Sequence, residues 1–487
     1  MNDAHDILFP KGPHELRVRA REINRNIPLT QYVAKATRTR DAGRKSALED
    51  TFGANADAAR ALAGKIKHHT LTHLDSYLAR WVDAARAKGT MVHFAATAQE
   101  ASAIAVEISK SHHSKLCVKA KSMVTEEIRL VEALAAIGVR AVETDLGEFI
   151  LQLDGDAPSH IVTPMIHKDR RDTARIFRDS LGSRYTEEPA ELTAIAREHI
   201  RELYRTADLG VSGANFLLAD TGSLVLCTNE GNADLSVACS KVHIAFVGIE
   251  KVIPSAAHLP IFLKLLARSA TAQPITVYTS IISGPARPDD RDGPRELHVV
   301  LIDNGRSRVL REDSRELLAC IRCGACLNAC PVYRKAGGGH AYGSVYSGPI
   351  GAVLTPELRG LASYPDLPHA SSLCGACHAA CPVNIDIPAH LVRLRRDQIA
   401  TGVTSLRDRL PLRIWAWVMR SPVRYRAAAA VARWLAARLG PSSSTWSPHA
   451  PPGLEGWTAS RHLPLPARQS FREWWRARSC LKSGDDQ

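Results

Sequence analysis

The chain has 487 residues, of which 45% are hydrophobic, so it can bury a sizeable core, and its length favours about three domains. No stretch of about 18 uninterrupted apolar residues occurs, which argues against a membrane-spanning helix. The net charge is +13, but 13 Arg and one Lys against two Glu and three Asp place +9 of it from Thr401 onward. Because most of the surplus lies in this tail, we expect no nucleic-acid partner.

Residues 1–88 are predicted to form an N-terminal helical layer, with Ala-rich amphipathic stretches such as the one around Trp81. His69 and His73 lie four residues apart, a spacing that places two imidazoles on one helix face and could hold a metal. His68 precedes them, but no third ligand is in view on that face. An exposed polar face is therefore the favoured interpretation.

Residues 89–304 alternate between strand-like and helix-like segments. The strand MVHFAA precedes a helix that Thr97 caps, with Glu100 three residues on as the partner in a capping box. The strand LCVKA leads through Ser122 into one helix over MVTEEIRLVEALAAI, which stops at Gly138. This alternation is typical of parallel βαβ units, so we predict an α/β domain over 89–304.

Two local patterns in this domain resemble functional motifs without the partners that those motifs need. The triplet Asp220–Gly222 matches that of aspartic proteases, but their mechanism needs two such carboxylates and the chain has one copy. We interpret NFLLADTGSLVLCT as a hairpin that turns at Asp220–Ser223. Three cysteines without metal-ligand spacing are interpreted as small core or interface residues: Cys117, Cys227 and Cys239.

A strand-to-helix junction in the same domain carries four charged residues, Lys119, Lys121, Glu126 and Glu127. Open α/β sheets bind their ligands at such junctions. On that topological rule alone, the four residues are a candidate binding site.

Residues 305–400 hold seven of the eleven cysteines in two short runs. CIRCGACLNACP has the CxxCxxCxxxCP spacing with which bacterial ferredoxins bind iron–sulfur clusters, and SLCGACHAACP mirrors it. In ferredoxins the three closely spaced cysteines bind one cluster and the cysteine before the proline binds the other. The candidate ligands are Cys320, Cys323, Cys326 and Cys330 in the first run and Cys374, Cys377 and Cys381 in the second.

If this crossover holds, one cluster lacks a thiolate. Cluster 1 would be bound by Cys320, Cys323, Cys326 and Cys381, and cluster 2 by Cys330, Cys374 and Cys377. The position that aligns with Cys320 in the second run is Ser371. Cluster 2 could be a three-iron cluster, a four-iron cluster with Ser371 or water on the fourth iron, or a cluster completed by another residue or a partner chain.

Zinc and disulfides are the alternatives for these cysteines. Structural zinc uses four ligands per site and gives no reason for the proline after each run. The opening MNDAHDILFP lacks the basic and then apolar pattern of a secretory signal. We therefore expect a cytoplasmic protein in a reducing compartment, where thiols stay free for metal.

The segment between the two runs is too rich in Gly and Pro for long regular elements. Its Gly337–Gly339 is not a phosphate loop, because no strand precedes it and no GK[ST] follows. We expect backbone N–H groups there to pack near cluster sulfurs, which is one way to tune a potential.

Residues 401–487 form a basic tail without the pattern of a compact domain. Two amphipathic helices, LRIWAWVMR and YRAAAAVARWLAARL, precede a Pro/Ser-rich stretch and a short FREWWRAR helix. Basic, Trp-rich helices suit a partner protein or an anionic membrane surface at the inner face, and we favour the partner. The tail holds seven of the eight tryptophans: Trp415, Trp417, Trp434, Trp446, Trp457, Trp474 and Trp475.

Long strings in the chain resemble one family. They are ACIRCGACLNACPVY, GGHAYGSVYSGPIGAVLTP, SSLCGACHAACPV, VKAKSMVTEEI, ETDLGEFI, GANFLLADTGSLVLCTNEGN and HIAFVGIEKVIP. With these strings the chain resembles the lactate-utilisation iron–sulfur subunits, the LutB family, across nearly its whole length.

This resemblance implies that the α/β region is a LUD domain, similar in fold to the sugar-phosphate isomerase and CoA-transferase group. It implies two [4Fe-4S] clusters in an α-helical ferredoxin-type domain, with the seven cysteines named above as ligands. The missing thiolate leaves a [3Fe-4S] form of cluster 2 on oxidation as an alternative. The family usually has a serine at the position of Ser371, which implies that this residue is a regular feature of the site rather than a lost cysteine. It also implies two companion proteins in the oxidation of L-lactate to pyruvate.

Two functions remain open from the sequence. The favoured one is an electron-transfer subunit of a lactate-oxidising complex, which is inactive alone because no catalytic nucleophile or acid–base pair can be named. The alternative is a metabolite-binding LUD module with structural or regulatory clusters. No flavin or nicotinamide fingerprint of the GxGxxG kind follows a strand.

Overall fold

A computed structural model describes residues 7–10, 15–404, 406–436, 446–447, 458, 461–467 and 469–482. The chain divides into two compact units, Met1–Val403 and Thr404–Gln487. Among the described residues, no helix is both long enough and apolar enough to cross a bilayer. The predicted helical layer, α/β domain and cysteine-rich domain thus lie together in the first unit.

The helices and strands are as follows. The helices of the first unit are α1 (Leu16–Ile23), α2 (Ile27–Phe52), α3 (Ala56–Thr72), α4 (Leu74–Arg86), α5 (Ala98–Ser111), α6 (Met123–Glu127), α7 (Leu130–Ala135), α8 (Leu146–Asp154), α9 (Arg170–Leu181), α10 (Pro189–Thr206), α11 (Asn232–Ala238), α12 (Leu259–Thr271), α13 (Arg306–Arg311), α14 (Ala325–Ala329), α15 (Pro331–Lys335), α16 (Gly348–Arg359), α17 (Ala376–Ala380) and α18 (Ile387–Ala400). Its strands are β1 (Met91–Ala95), β2 (Leu116–Lys119), β3 (Arg140–Glu143), β4 (Leu209–Ser212), β5 (Phe216–Leu218), β6 (Ser223–Thr228), β7 (Val242–Gly248), β8 (Val252–Ile253), β9 (Tyr278–Ile282) and β10 (Glu296–Ile302). The second unit has α19 (Leu406–Met419), α20 (Pro422–Ala436), β11 (Trp446–Ser447), β12 (Leu463–Pro464) and α21 (Phe471–Lys482).

A six-stranded parallel sheet forms the centre of the α/β domain, in the order β1-β10-β7-β4-β2-β3. Every residue of β7 is buried, and alternate side chains enter different cores because successive strand residues point to opposite faces. Phe246 packs with α5 and α7, whereas Ala245 and Val247 pack with α4. The prediction of parallel βαβ units is confirmed.

A smaller sheet, in the order β8-β5-β6-β9, lies beside the first. Strands β5 and β6 pair antiparallel, which confirms the predicted hairpin. Gly222 in its turn has φ +67, and a Cβ there would meet the backbone of Ala84 and Ala85 at 2.3–2.8 Å. The indole of Trp81 donates to Ser223 O at 3.1 Å, so the turn is fixed against α4 rather than serving a protease-like site.

The single helix predicted over MVTEEIRLVEALAAI is wrong. The chain forms α6 and α7 there, separated by Arg129 in the left-handed region at φ +56. The carbonyl of Ile128 accepts a hydrogen bond from Ser102 Oγ at 2.7 Å, a tertiary contact that competes with the helix. The Thr97 side chain caps α5 as predicted. The predicted capping box differs in its second bond, because the Glu100 carboxylate accepts from the N–H of Ala96 rather than from the N–H of Thr97.

The N-terminal helices and the cysteine-rich region share one hydrophobic core. Val33 of α2 and Ala63 of α3 pack with Phe262 of α12 and Leu327 of α14. The N-terminal residues are therefore part of the packing around the cysteine runs.

In the second unit, Arg424 lies over the ring of Trp417, 4.3 Å from its centroid.

The tail tryptophans that the structure describes belong to the second unit. Those of α19, α20 and α21, together with Trp446, are exposed. Trp457 lies outside the described residues. Helices α19, α20 and α21 overlap the three segments predicted as helical, of which residues 437–439 lie outside the described residues.

Candidate metal centre and an adjoining cavity

The two cysteine runs fold as equivalent backbone units. The residue before the second cysteine position has a positive φ in both, Arg322 at +62 and Leu373 at +55. Gly324 and Gly375 follow at +73 and +79 and begin the five-residue helices α14 and α17. This repeat places Ser371 in the register of Cys320.

Four cysteines from both runs surround one small cavity. Its remaining lining is mainly apolar, from Ile321, Ile350, Val383, Ile385 and Ile387. Cys381 therefore lies with the first run although it belongs to the second. The four are Cys320, Cys323, Cys326 and Cys381.

The described cysteines are free thiols, and those around this cavity suit a metal cluster. Burial raises the pKa of Cys381 to about 12 and that of Cys326 well above its usual value. As bare thiols they stay protonated at neutral pH, so they become thiolates only where a cation compensates the charge. Ile385 N donates to Cys381 Sγ at 3.4 Å, a contact that also favours the thiolate.

The other three cysteines form a second, more open set. Cys330 and Cys377 are buried and Cys374 is exposed. Burial, and then the neighbouring Cys330, raises the pKa of Cys377 to about 11, whereas hydrogen bonds from the Ala376 backbone and Ser372 lower that of Cys374. Tyr333 N donates to Cys330 Sγ at 3.4 Å.

Ser371 is only partly buried beside this second set. Its Oγ accepts a hydrogen bond from Leu373 N at 3.0 Å. Because a hydroxyl oxygen has two lone pairs, this contact leaves one available to iron.

The expectation for Gly337–Gly339 is wrong. Their N–H groups donate to Arg334 O, Tyr333 O and Ser159 Oγ, in chain order, and so do not face sulfur. A Cβ on Gly339 would lie 2.1 Å from Ser159 O. The glycines allow this segment to approach the loop after α8, which fixes the cysteine-rich region to the α/β domain.

A cavity of about 340 Å³ lies next to the first cysteine set. Residues after β2 and β4 line it, so it lies at the carboxyl ends of the central strands, where open α/β sheets bind ligands. Arg322 and Ile161 line both this cavity and the cysteine cavity. The two sites are therefore separated by single side chains.

Four cations line the larger cavity, and two of them lie within salt-bridge distance of a carboxylate. Lys121 Nζ lies 3.4 Å from Asp145 and donates to Val162 O. Arg322 lies over the ring of Tyr346, and its Nη2 is 3.5 Å from Glu250, but its buried Nη1 has no hydrogen-bond partner among the described residues.

Lys251 and Arg40 complete the four cations. Lys251 is 8% exposed, and burial followed by the charge of Arg322 lowers its pKa to about 8. Burial also lowers the pKa of Arg40. In the described part of the chain neither side chain has a carboxylate within salt-bridge distance. The lining is thus rich in incompletely compensated positive charge.

The four predicted junction residues separate into two groups. Lys121 lines the cavity, but Lys119 is fully buried and bonds Glu143 at 2.7 Å and Glu126 at 3.0 Å. Glu127 forms a bidentate salt bridge with Arg306, in which two hydrogen bonds each measure 2.9 Å. Lys119, Glu126 and Glu127 therefore stabilise the domain rather than line the cavity.

Arg40, Lys251, Arg322 and Tyr346 are cavity residues that sequence reasoning missed. They lie on α2, before β8, within the first cysteine run and before α16. Of these four residues, only Arg322 could have been identified from the sequence, because it stands between two predicted cysteine ligands. The other three residues meet through tertiary packing.

The remaining sequence candidates lie apart from both cavities, except one. His68, His69 and His73 are exposed, as favoured, with His69 Nε2 3.1 Å from Tyr77 Oη. Cys117 is a core residue, Cys239 is exposed, and Cys227 lines the larger cavity.

Comparison with known families matches three parts of the chain. The LUD domain family matches residues 78–302, the 4Fe-4S dicluster domain residues 316–385, and "Lactate utilisation protein B, C-terminal" residues 400–480. The dicluster match covers all seven cysteines of the two sets, so the chain carries an iron–sulfur domain.

Full-length relatives agree with these matches. "Lactate utilization protein B" of Shouchella clausii is 44% identical over 89% of this chain and 91% of its own length. The proteins of that name from Bacillus cereus strain AH820 and Bacillus thuringiensis strain Al Hakam are each 43% identical over 88% of this chain and 89% of their own.

A solved structure also matches, a DUF162 family protein from Deinococcus radiodurans. It is 11% identical, covers 47% of this chain and 98% of its own, and has a TM-score of 0.28. A similarity at this score does not establish a shared fold. The relatives, by contrast, cover most of both chains at high identity. The chain belongs to the lactate utilization protein B family, with a LUD domain followed by a 4Fe-4S dicluster domain.

Proposed function

We propose that this protein is the electron-transfer subunit of a multi-protein system that oxidises L-lactate to pyruvate, with two [4Fe-4S] clusters. The single observation that carries the proposal is that Cys381, from the second run, lines the same cavity as Cys320, Cys323 and Cys326. This arrangement supports two clusters that exchange one ligand between the runs. Clusters held there would supply one-electron transfer, and their potential would depend on the surrounding protein.

The residues around the two sets differ in access to solvent, and this supports a direction of transfer. The first set lies against the LUD cavity, with Arg322 between them. The second set includes the exposed Cys374 beside the exposed Leu373. We infer that the buried set faces the electron donor side and that the open set faces an acceptor on the surface.

The chain's own residues hold and insulate the first set. Isoleucines from four segments exclude water from its cavity. Arg60 of α3 donates to Cys381 O at 2.9 Å and to His378 O at 3.1 Å, which fixes the loop that brings Cys381 across. Ligand loops held in this way reorganise little when charge changes, as electron transfer requires.

For cluster 2 we propose that Cys330, Cys374 and Cys377 are the protein ligands and that Ser371 is the fourth. A [3Fe-4S] form on oxidation is the alternative, because a hydroxyl oxygen binds iron less firmly than a thiolate does. The register with Cys320 supports the serine assignment.

We further propose that the tail docks a companion subunit. Its described tryptophans are exposed, its charge is strongly positive, and aromatic and Arg residues are the usual anchors of interfaces. A cytoplasmic location fits this role, with contact at the inner membrane face as the other outcome.

The decisive experiment compares the pure chain, anaerobically purified, with the chain plus its companion proteins. We expect L-lactate to reduce the clusters, seen by EPR, only when companions are present. Turnover of lactate by the chain alone would contradict the proposal.

The second candidate function is a metabolite-binding LUD module with structural or regulatory clusters. The cavity of about 340 Å³ favours it, since this volume is in the range of small-molecule sites. If ligand binding persists but lactate never reduces the clusters in the presence of companions, this second function is preferred.

A further inference from the structure

The larger cavity contains charge that the chain itself does not compensate. Two of its cations, Arg40 and Lys251, have no carboxylate within salt-bridge distance among the described residues. Arg322 meets Glu250 at 3.5 Å through Nη2 alone, and Lys121 is engaged with Asp145. Its other lining carboxylate, Glu230, accepts a hydrogen bond from Leu146 N at 3.1 Å.

Two buried polar atoms in the lining also lack partners among the described residues. They are Nη1 of Arg322 and Oγ1 of Thr163. The Arg322 side chain is 10% exposed, and a guanidinium buried to this extent carries a desolvation cost unless an anion accepts its N–H groups. An N–H donor and a hydroxyl left unsatisfied in one cavity point to a ligand with acceptor oxygens.

We propose that this cavity is a binding site for a small organic anion and, resting on the function proposed above, for a 2-hydroxy- or 2-oxocarboxylate. Arg322 offers the planar fork that binds a carboxylate. Lys251 and Arg40 add positive charge from two other elements. Ser212 and Asn215, at the end of β4, supply polar groups for a hydroxyl or carbonyl oxygen.

A competing use of the same charges is compensation of the negative cluster. Lys251 and Arg322 both lie close enough to Cys320 to interact with its charge. Arg40 lines the larger cavity but not the cysteine cavity, whereas Arg322 lines both. A substitution at Arg40 therefore tests anion binding without removing a charge that lies next to the cysteine set.

The test measures equilibrium binding of L-lactate, pyruvate and inorganic phosphate to the full chain, purified anaerobically with its clusters. Arg40→Gln should weaken carboxylate binding about tenfold or more, as expected for loss of one charged contact. The matched control is Arg38→Gln, an exposed arginine on the same helix outside the cavity lining, which should leave binding unchanged. The cluster EPR spectrum should be the same in all three proteins.

A second variant covers the case in which Arg40→Gln does not fold. Asn215 Oδ1 accepts from Cys227 N at 2.8 Å, and Asn215→Asp keeps that acceptor while adding a negative charge to the cavity. Its control is Asn26→Asp, which makes the same change at an exposed helix cap whose Oδ1 accepts from Leu29 N. The first should weaken carboxylate binding and the second should not.

No binding of any of the three anions, or equal losses in variant and control, overturns the proposal. Binding of phosphate alone overturns the carboxylate assignment. Failure here is distinct from failure of the proposed function. Lactate-driven cluster reduction with companions but without binding to this chain would reject only the cavity. Binding without any such reduction would reject only the electron-transfer role.

Discussion

The guanidinium of Arg322 lies over the ring of Tyr346, with its Cζ 4.6 Å from the ring centroid. Tyr346 Oη in turn donates to Glu127 Oε2 at 2.6 Å, and Glu127 belongs to the LUD domain. A residue placed between Cys320 and Cys323, two of the proposed ligands, is thereby connected through one tyrosine to the α/β domain. This contact makes the cavity and the cysteine set one structural unit.

The proposed ligand exchange predicts which variants affect which cluster. Cys381→Ala should perturb the cluster otherwise held by Cys320, Cys323 and Cys326, although Cys381 is nearer in sequence to the second set. Cys377→Ala, four residues away, is the matched control and should perturb the other cluster. EPR of the reduced variants separates the two, and identical spectra for both would contradict the crossover.

The missing thiolate predicts that cluster 2 is the more labile. Air exposure should give a three-iron EPR signal that Cys374→Ala abolishes and Cys320→Ala leaves, because an iron without a thiolate ligand dissociates more readily. Ser371→Cys should suppress the conversion, whereas Ser372→Cys, one residue along, should not. A signal lost in Cys320→Ala and kept in Cys374→Ala would assign the open site to cluster 1.

A buried ion-pair network predicts a large loss of stability on substitution. Arg306 is fully buried between Glu127 and Glu250, with bonds of 2.8–2.9 Å. Arg306→Met leaves buried Glu127 without its cation and Glu250 with only the more distant Arg322, which should lower the free energy of unfolding by about 3–5 kcal/mol. Urea unfolding measures this, and the exposed Arg311→Met is the control. Equal unfolding midpoints for the two variants would show that the network contributes little.

Buried His243 predicts loss of stability in acid. Burial lowers its pKa to about 4, and its Nε2 lies 2.7 Å from Ser212 Oγ. The unfolded chain binds a proton near pH 6.5 and the folded chain does not, so stability is complete above pH 6.5 and falls toward pH 4.

The slope from this histidine is about 1.4 kcal/mol per pH unit in that window. His243→Asn should therefore show a flatter dependence of the urea midpoint on pH than the parent protein. Because both proteins carry the same clusters and the same other histidines, the difference isolates His243. Parallel curves would exclude it as the titrating group.

We predict that the tail contributes to binding of companion proteins but not to folding of the first unit. Removal of residues 404–487 follows the boundary between the two compact units, so the first unit should keep its clusters and its fold. Association with companion proteins should weaken, as measured by co-purification, because the exposed tryptophans are lost. Liposome flotation distinguishes the membrane outcome, and unchanged behaviour in both assays would reject a docking role.

Local sequence signals identified the parts of this protein whose residues are neighbours in the chain. The CxxC spacings, the hairpin around Gly222 and the Thr97 cap depend on residues within a few positions of one another. The break at Arg129 could not be read in this way, because it depends on Ser102 contacting the Ile128 carbonyl. Arg40 and Lys251 lie 282 and 71 positions from Arg322 in the chain, so their meeting in one cavity likewise depends on tertiary packing.

The most direct test of the central claim is the iron and acid-labile sulfide content of the anaerobically purified chain, measured together with EPR of the reduced protein. Two cubanes bound by the exchanged cysteine sets predict about eight iron and eight sulfide per chain and two interacting paramagnetic clusters. Zinc in place of iron, or about four iron with a single isolated signal, would contradict the account.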